Sequence, residues 1–326
     1  MKRIVVGSFI IALAAALVVP GIALAQDKYP SKPISVIVPF SAGGSTDLLA
    51  RAIEKVWPKY SSQPLVLINK PGGGGVVGTE FVVRSKPDGY TLYFGFGSGH
   101  DTVMPHLQKL PYDTYKDIAP VARMSVHSVV IVTGAKSEFN TLPEMIAWAK
   151  KEKKPVTSSV STKAGAVDIA LTALGKAAGI NIVTVPFAGG ADAVTALAGG
   201  HVMIGGGHPS EVMPHIKAGR FKALAVALPE RDPSLPNVPT LKELGFNIST
   251  WGSIKGMGAP AATPKEAIAY LETTLKKVSE DPEFIKIMAD LDQPIMYLNS
   301  ADFAKFLQVA LADYGKLIKD LDIKIE

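Results

Sequence analysis

Short β-branched runs alternate with longer amphipathic stretches along most of this chain. Ile34-Ser35-Val36-Ile37-Val38, Leu65-Val66-Leu67-Ile68 and Tyr90-Thr91-Leu92-Tyr93-Phe94 predict three strands. Between them, 46–60 and 77–85 carry apolar residues at helical spacing. Strand–helix–strand repetition at this interval predicts a mostly parallel sheet with helices on both faces. The middle of the chain repeats it, with strands at 126–133, 156–159, 182–185, 202–204 and 223–227 and helices at 142–151, 168–178 and 191–198. Pro229, Pro233, Pro236 and Pro239 mark a connection without regular structure. A short strand at Ala259-Pro260 and helices at 265–279, 282–291 and 301–321 complete the pattern.

Before the first strand the pattern differs. Lys2 and Arg3 precede an uncharged apolar run from Ile4 to Val19, which Pro20-Gly21 interrupts. Ala23-Leu24-Ala25 places small residues where a signal peptidase reads, so residues 1–25 are expected to be a secretory signal cleaved before Gln26. The run is shorter than the roughly 18–20 residues that span a bilayer. The remaining 300 or so residues exceed one compact core and suggest two domains.

Composition narrows the function. There is no cysteine, which excludes disulfides, thiol catalysis, cysteine metal sites and the lipid anchor of a lipoprotein. The formal charge is +5, or +3 without Lys2 and Arg3. The dense cluster Lys150, Lys151, Lys153 and Lys154 reads as a solvated helix end, and nucleic-acid binding is not expected. His100, His106, His127, His201, His208 and His215 form no His-Glu-x-x-His helix, so no metal and no cofactor is expected.

Five strand-to-helix loops carry the candidate chemistry, because in open α/β sheets ligands sit beyond the carboxyl ends of the strands. Phe40-Ser41-Ala42-Gly43-Gly44-Ser45-Thr46-Asp47 opens a helix whose first N–H groups suit a carboxylate or phosphate. Gly73, Gly75 and Gly78 satisfy the spacing of a dinucleotide fingerprint, but they follow the second strand. Phe94-Gly95-Phe96 stands where an acidic residue should close the next one, so a nucleotide is not expected. Ser98-Gly99-His100-Asp101 is too local to form a catalytic triad and reads as a binding loop. Ser158-Ser159-Val160-Ser161-Thr162-Lys163 offers hydroxyls and an ammonium. Phe187-Ala188-Gly189-Gly190-Ala191 repeats the style of the first loop, and the two would face each other across a cleft.

In combination these segments resemble the Bug/TctC family of extracytoplasmic solute receptors. The carrying motifs are 29–34 (Tyr-Pro-Ser-Lys-Pro-Ile), 38–47, 69–75 (Asn-Lys-Pro-Gly-Gly-Gly-Gly), 87–92, 110–113 and 214–219. The resemblance covers nearly everything after residue 27. It implies an α/β, two-lobed periplasmic binding protein of Venus-flytrap, type II-like form, each lobe a mostly parallel sheet flanked by helices. Residues 26–127 and 251–326 would form lobe 1 and 128–250 lobe 2. It further implies a monomer, unanchored in the periplasm, that captures a small carboxylate for the membrane subunits of a tripartite tricarboxylate transporter. A sensor kinase as the partner, and a secreted hydrolase, are the alternatives.

By the same resemblance, the loops at Phe40 to Asp47 and Ala188 to Ala191 would hold one carboxylate. The loops at Ser98 to His100 and at Ser159, Ser161, Thr162 and Lys163 would set which ligand fits, with Phe187, Gly207 and His208 alongside. The sequence departs from the family pattern at Val160-Ser161-Thr162-Lys163 and at Gly205-Gly206-Gly207-His208, where relatives commonly carry an acid. Without that acid, a ligand lacking an amino group is expected, a dicarboxylate or aromatic carboxylate rather than an amino acid, in a pocket enlarged by the glycines.

Overall fold

The computed structural model describes residues 28–96, 99–248 and 250–324. The signal segment and Ser98 lie outside the described residues. In chain order the first elements are β1 (Ile34–Val38), α1 (Ser45–Val56), β2 (Leu65–Asn69), α2 (Val76–Val83), β3 (Thr91–Gly95), α3 (Thr114–Asp117) and β4 (Ile118–His127). Then come β5 (Val130–Gly134), α4 (Leu142–Glu152), β6 (Val156–Val160), α5 (Ala166–Ala178), β7 (Ile182–Pro186), α6 (Gly190–Ala198), β8 (Ile204–Gly207), α7 (Pro209–Lys217) and β9 (Phe221–Val226). The chain ends with β10 (Ser253–Pro260), α8 (Lys265–Glu280), α9 (Pro282–Asp290) and α10 (Ser300–Asp320).

The strands form two sheets of the same design, β2-β1-β3-β10-β4 and β7-β6-β8-β5-β9. In each, three neighbouring strands are parallel and a fourth runs against both its neighbours, β10 in the first and β5 in the second. Four strands in five therefore share a direction, and the sheets are mixed. β1, with parallel neighbours and helices on both faces, is buried at four of its five positions. The edge strand β2 alternates between buried or half-buried and exposed residues.

Each sheet has its own core. Val36, Leu49, Ile53, Trp57, Phe94, Leu275 and Phe284 fill the first lobe. Ile131, Leu142, Val156, Leu171, Leu174 and Ile204 fill the second. A third cluster joins the lobes, packing Val103, Met104 and Tyr314 against Ala164 and Ile169.

Three sequence expectations change. The single strand at 126–133 is two, because the chain leaves the first sheet at His127 and enters the second at Val130. The strand foreseen at Ala259-Pro260 starts at Ser253; its glycines weaken the pattern but let Phe303 and Phe96 pack against the backbone of Gly256 and Gly258. Helix α7 stands where the sequence pattern predicts no regular element.

Candidate functional site

Helices α1 and α6 begin on glycine, Gly44 and Gly189, which have no side chain with which to cap the first turn. Their N-termini come from opposite lobes and meet. A Cβ on Gly44 would lie 3.4 Å from Gly190 N and 3.9 Å from Ala191 N. Ser41 N donates to Ala188 O at 3.2 Å, and Ser41 Oγ donates to Asp192 Oδ2 at 2.8 Å. Two helix N-termini aimed at one point concentrate N–H donors and positive dipole ends there.

That point is occupied by a carboxylate of the protein itself. Glu211, the third residue of α7, accepts the Ser45 N–H on Oε1 at 2.7 Å and the His208 N–H on Oε2 at 2.9 Å. The second bond is half of a capping box within α7. The first crosses between the lobes. A Cβ on Gly190 would fall well inside contact distance of Glu211 Oε1, so glycine there is what admits the carboxylate.

Around Glu211 the lobes leave a cavity of about 20 Å³, room for about one water. Phe40, Gly44, Ser45, Thr46 and Asp47 line it from the first loop, and Ser161, Thr162, Gly189, Gly190 and His208 from the second lobe. Asp47 is turned toward its own loop, accepting from Gly43 N, Arg51 Nε and Asn69 Nδ2.

Other residues singled out in the sequence lie outside this lining. Ala42 and Gly43 are exposed, and the Cβ position of Gly43 faces Ala191 Cβ at 3.7 Å. Gly99 abuts Ala164 and Gly165 across the lobes. His100 is buried against the Tyr93 hydroxyl at 2.7 Å and Asp101 at 3.2 Å. Ser159 packs beneath Gly205, the carbonyl of Lys163 lies near Gly74, and half-buried Phe187 donates its N–H to Val160 O.

The model of the tripartite tricarboxylate transporter family receptor, TctC, matches residues 49–323. The chain belongs to this family. Protein BugT of Bordetella pertussis is 32% identical over 281 residues, which cover 82% of each chain. A Bordetella bronchiseptica relative is 30% identical over 318 residues, 96% of this chain and 92% of its own. Among solved structures, periplasmic binding protein BugD superposes with a TM-score of 0.85 at 28% identity, covering 91% of this chain and all of BugD. MatC of Rhodopseudomonas palustris, solved with bound malate, superposes at 0.82 with 26% identity, covering 89% of this chain and all of MatC. The TctC fold is thus a two-lobed periplasmic binding protein fold, and the relatives are solute-binding receptors rather than enzymes. Among the described residues, no helix is long and apolar enough to cross a membrane.

This TctC receptor carries charges in its cleft that the sequence pattern did not disclose. Lys255, on β10, is 2% exposed and donates to Thr46 Oγ1 at 2.6 Å. Burial pulls its ammonium down to about 8, against the opposing pull of Glu211. Burial alone would push the Glu211 carboxyl up, but His208, the two backbone N–H donors and Lys255 reverse this, and it stays ionised. Burial lowers His208, with Lys255 adding to the effect, and its Nδ1 lies 2.7 Å from Ser128 O. Burial lowers His127 well below the usual imidazole range, and its ring sits 5.7 Å from that of His208.

The triple glycine does not enlarge the pocket, contrary to expectation. A Cβ on Gly206 would collide with Val167 Cγ1, one on Gly205 would lie 2.8 Å from Ser159 Oγ, and one on Gly207 2.7 Å from Val212 Cγ1. The glycines let α5, α6 and α7 pack tightly on β8. An acid nevertheless faces the cleft from a different position, Glu211, four residues beyond Gly207. A sequence signal for it existed: His208-Pro209-Ser210-Glu211 has proline at N1 and glutamate at N3, a helix-start signature.

Proposed function

We propose that this chain is a periplasmic receptor that captures a small carboxylate and delivers it to the membrane subunits of a tripartite tricarboxylate transporter. The single observation that carries this reading is the carboxylate of Glu211, bound where the glycine-started helices α1 and α6 converge. A site that seats the protein's own carboxylate on backbone N–H groups has the donors a ligand carboxylate needs. Lys255, buried beside it, supplies a counter-charge. The relative that carries malate supports a dicarboxylate.

In this reading residues 1–25 direct export, and the mature chain works as a monomer. Residues 26–127 with 251–326 and residues 128–250 move as bodies about the crossings near His127–Val130 and Gly252. The ligand lies between Phe40–Asp47, Ser161–Thr162 and Ala188–Ala191. The test is a thermal-shift screen of the chain from Gln26 against mono-, di- and tricarboxylates and aromatic acids. A ligand bound only by the folded state raises the melting temperature by mass action. No shift with any carboxylate at millimolar concentration would overturn the reading.

A further inference from the structure

The bond between Ser45 and Glu211 sets a requirement on whatever enters the cleft. Of the two hydrogen bonds to Glu211, the one from His208 N lies within the second lobe and survives any lobe movement. The one from Ser45 N spans the lobes and must break when a molecule enters between them. Such a molecule meets a donor on one side, the Ser45 N–H with the Lys255 ammonium behind it. On the other side it meets an acceptor, a carboxylate fixed by its own helix.

Neither side can be left alone. A buried donor left unsatisfied is destabilising, and an uncompensated buried charge more so. A plain carboxylate answers Ser45 and Lys255 but presents a second anion to Glu211. An acid with a hydroxyl or ammonium beside its carboxylate answers both. The second-lobe loop is shaped for this arrangement: Gly190 has no room for a Cβ against Glu211.

We infer that Glu211 is a specificity-determining residue, and that the ligand is a small acid bearing a hydrogen-bond donor on the carbon next to its carboxylate. This rests on the carboxylate reading above and narrows it. It also removes the ground for setting amines aside, since an acid does face the cleft.

The experiment is calorimetric titration of the chain from Gln26 with matched series that differ only in the donor. These are propionate, lactate and alanine; succinate, malate and aspartate; glutarate, 2-hydroxyglutarate and glutamate; phenylpropionate, phenyllactate and phenylalanine. In the series that fits, a donor-bearing member is expected to bind at least tenfold tighter than the plain acid. Glu211→Gln keeps the capping acceptor and loses the charge, while Glu211→Leu loses both; melting curves check that each folds. If the donor is an ammonium, Glu211→Gln removes the preference. If it is a hydroxyl, only Glu211→Leu does. Plain acids binding as tightly as their donor-bearing partners would overturn this inference and leave the carboxylate reading standing. A preference unchanged in Glu211→Leu would do the same. Failure of every member of every series to bind would overturn both.

Discussion

Ser45 and Glu211 join the two lobes through one N–H···O bond of 2.7 Å, between the first residue of α1 and the third of α7. The bond places a negative charge on the positive end of a helix and ties the two lobes together across the cleft. Removing it shifts the balance between open and closed forms. Glu211→Ala is expected to increase the radius of gyration of the ligand-free protein, measured by small-angle scattering, toward that of an open form. An unchanged radius would mean that the contact does not govern closure.

The glycines at the meeting point differ in tolerance. A Cβ at Gly190 collides with Glu211, whereas the nearest atom to a Cβ at Gly44 is 3.4 Å away. Gly190→Ala is therefore expected to weaken ligand binding more than tenfold, and Gly44→Ala by less than about threefold, roughly 0.6 kcal/mol. Equal losses in titration would show that the two loops are not shaped around the carboxylate.

Lys255 gives binding a pH dependence of definite sign. Its protonated form favours an anionic ligand, and in the free protein that form is lost as pH rises through about 8. The dissociation constant of a carboxylate should be flat below that pH and rise above it, by up to about tenfold per pH unit. In Lys255→Met it should be higher throughout and without that rise.

His127 acts on stability rather than binding. Its folded value lies below 6.5, so between the two values the unfolded chain holds more protons than the folded one. Stability is then present above about pH 6.5 and lost as pH falls below it. A urea midpoint series from pH 7.5 to 5 is expected to show the decline, and His127→Phe to flatten part of it. An identical slope in the variant would assign the decline elsewhere.

Gly206 tests the packing of β8. A Cβ there collides with Val167, and overpacking of this kind costs about 1–3 kcal/mol. Gly206→Ala should lower the urea midpoint accordingly, and Val167→Ala in the same chain should restore part of the loss. A stable Gly206→Ala with a narrower ligand range would favour the enlarged pocket that the glycine pattern suggests.

The sequence disclosed what depends on local pattern. The β-branched runs at Ile34–Val38 and Val156–Val160 and the glycine loops that open α1 and α6 are legible because strand burial and turn chemistry leave direct marks. Helix α7 left none of the usual periodicity. It is nine residues long, with Pro209 and Pro214 within it, and it follows a strand of which three residues are glycine. Glu211 was hidden with it. Lys255 reads as an ordinary surface lysine between Ile254 and Gly256, and only the pairing of β10 between β3 and β4 buries it. The chemistry of the cleft comes from contacts 166 and 209 residues apart, which no local window spans.

The reversed strand in each sheet has a consequence for the order of assembly. All five strands of the second lobe lie between Val130 and Val226, so its sheet can be completed as soon as that stretch has emerged. The first lobe cannot follow the order of synthesis. β3 and β4 are not neighbours, and the strand that fills the gap between them, Ser253–Pro260, is made more than a hundred residues later. Until it arrives, two facing strand edges stand unpaired, the kind of surface on which chains aggregate or chaperones settle. The lobe that begins the chain is therefore the last to be finished.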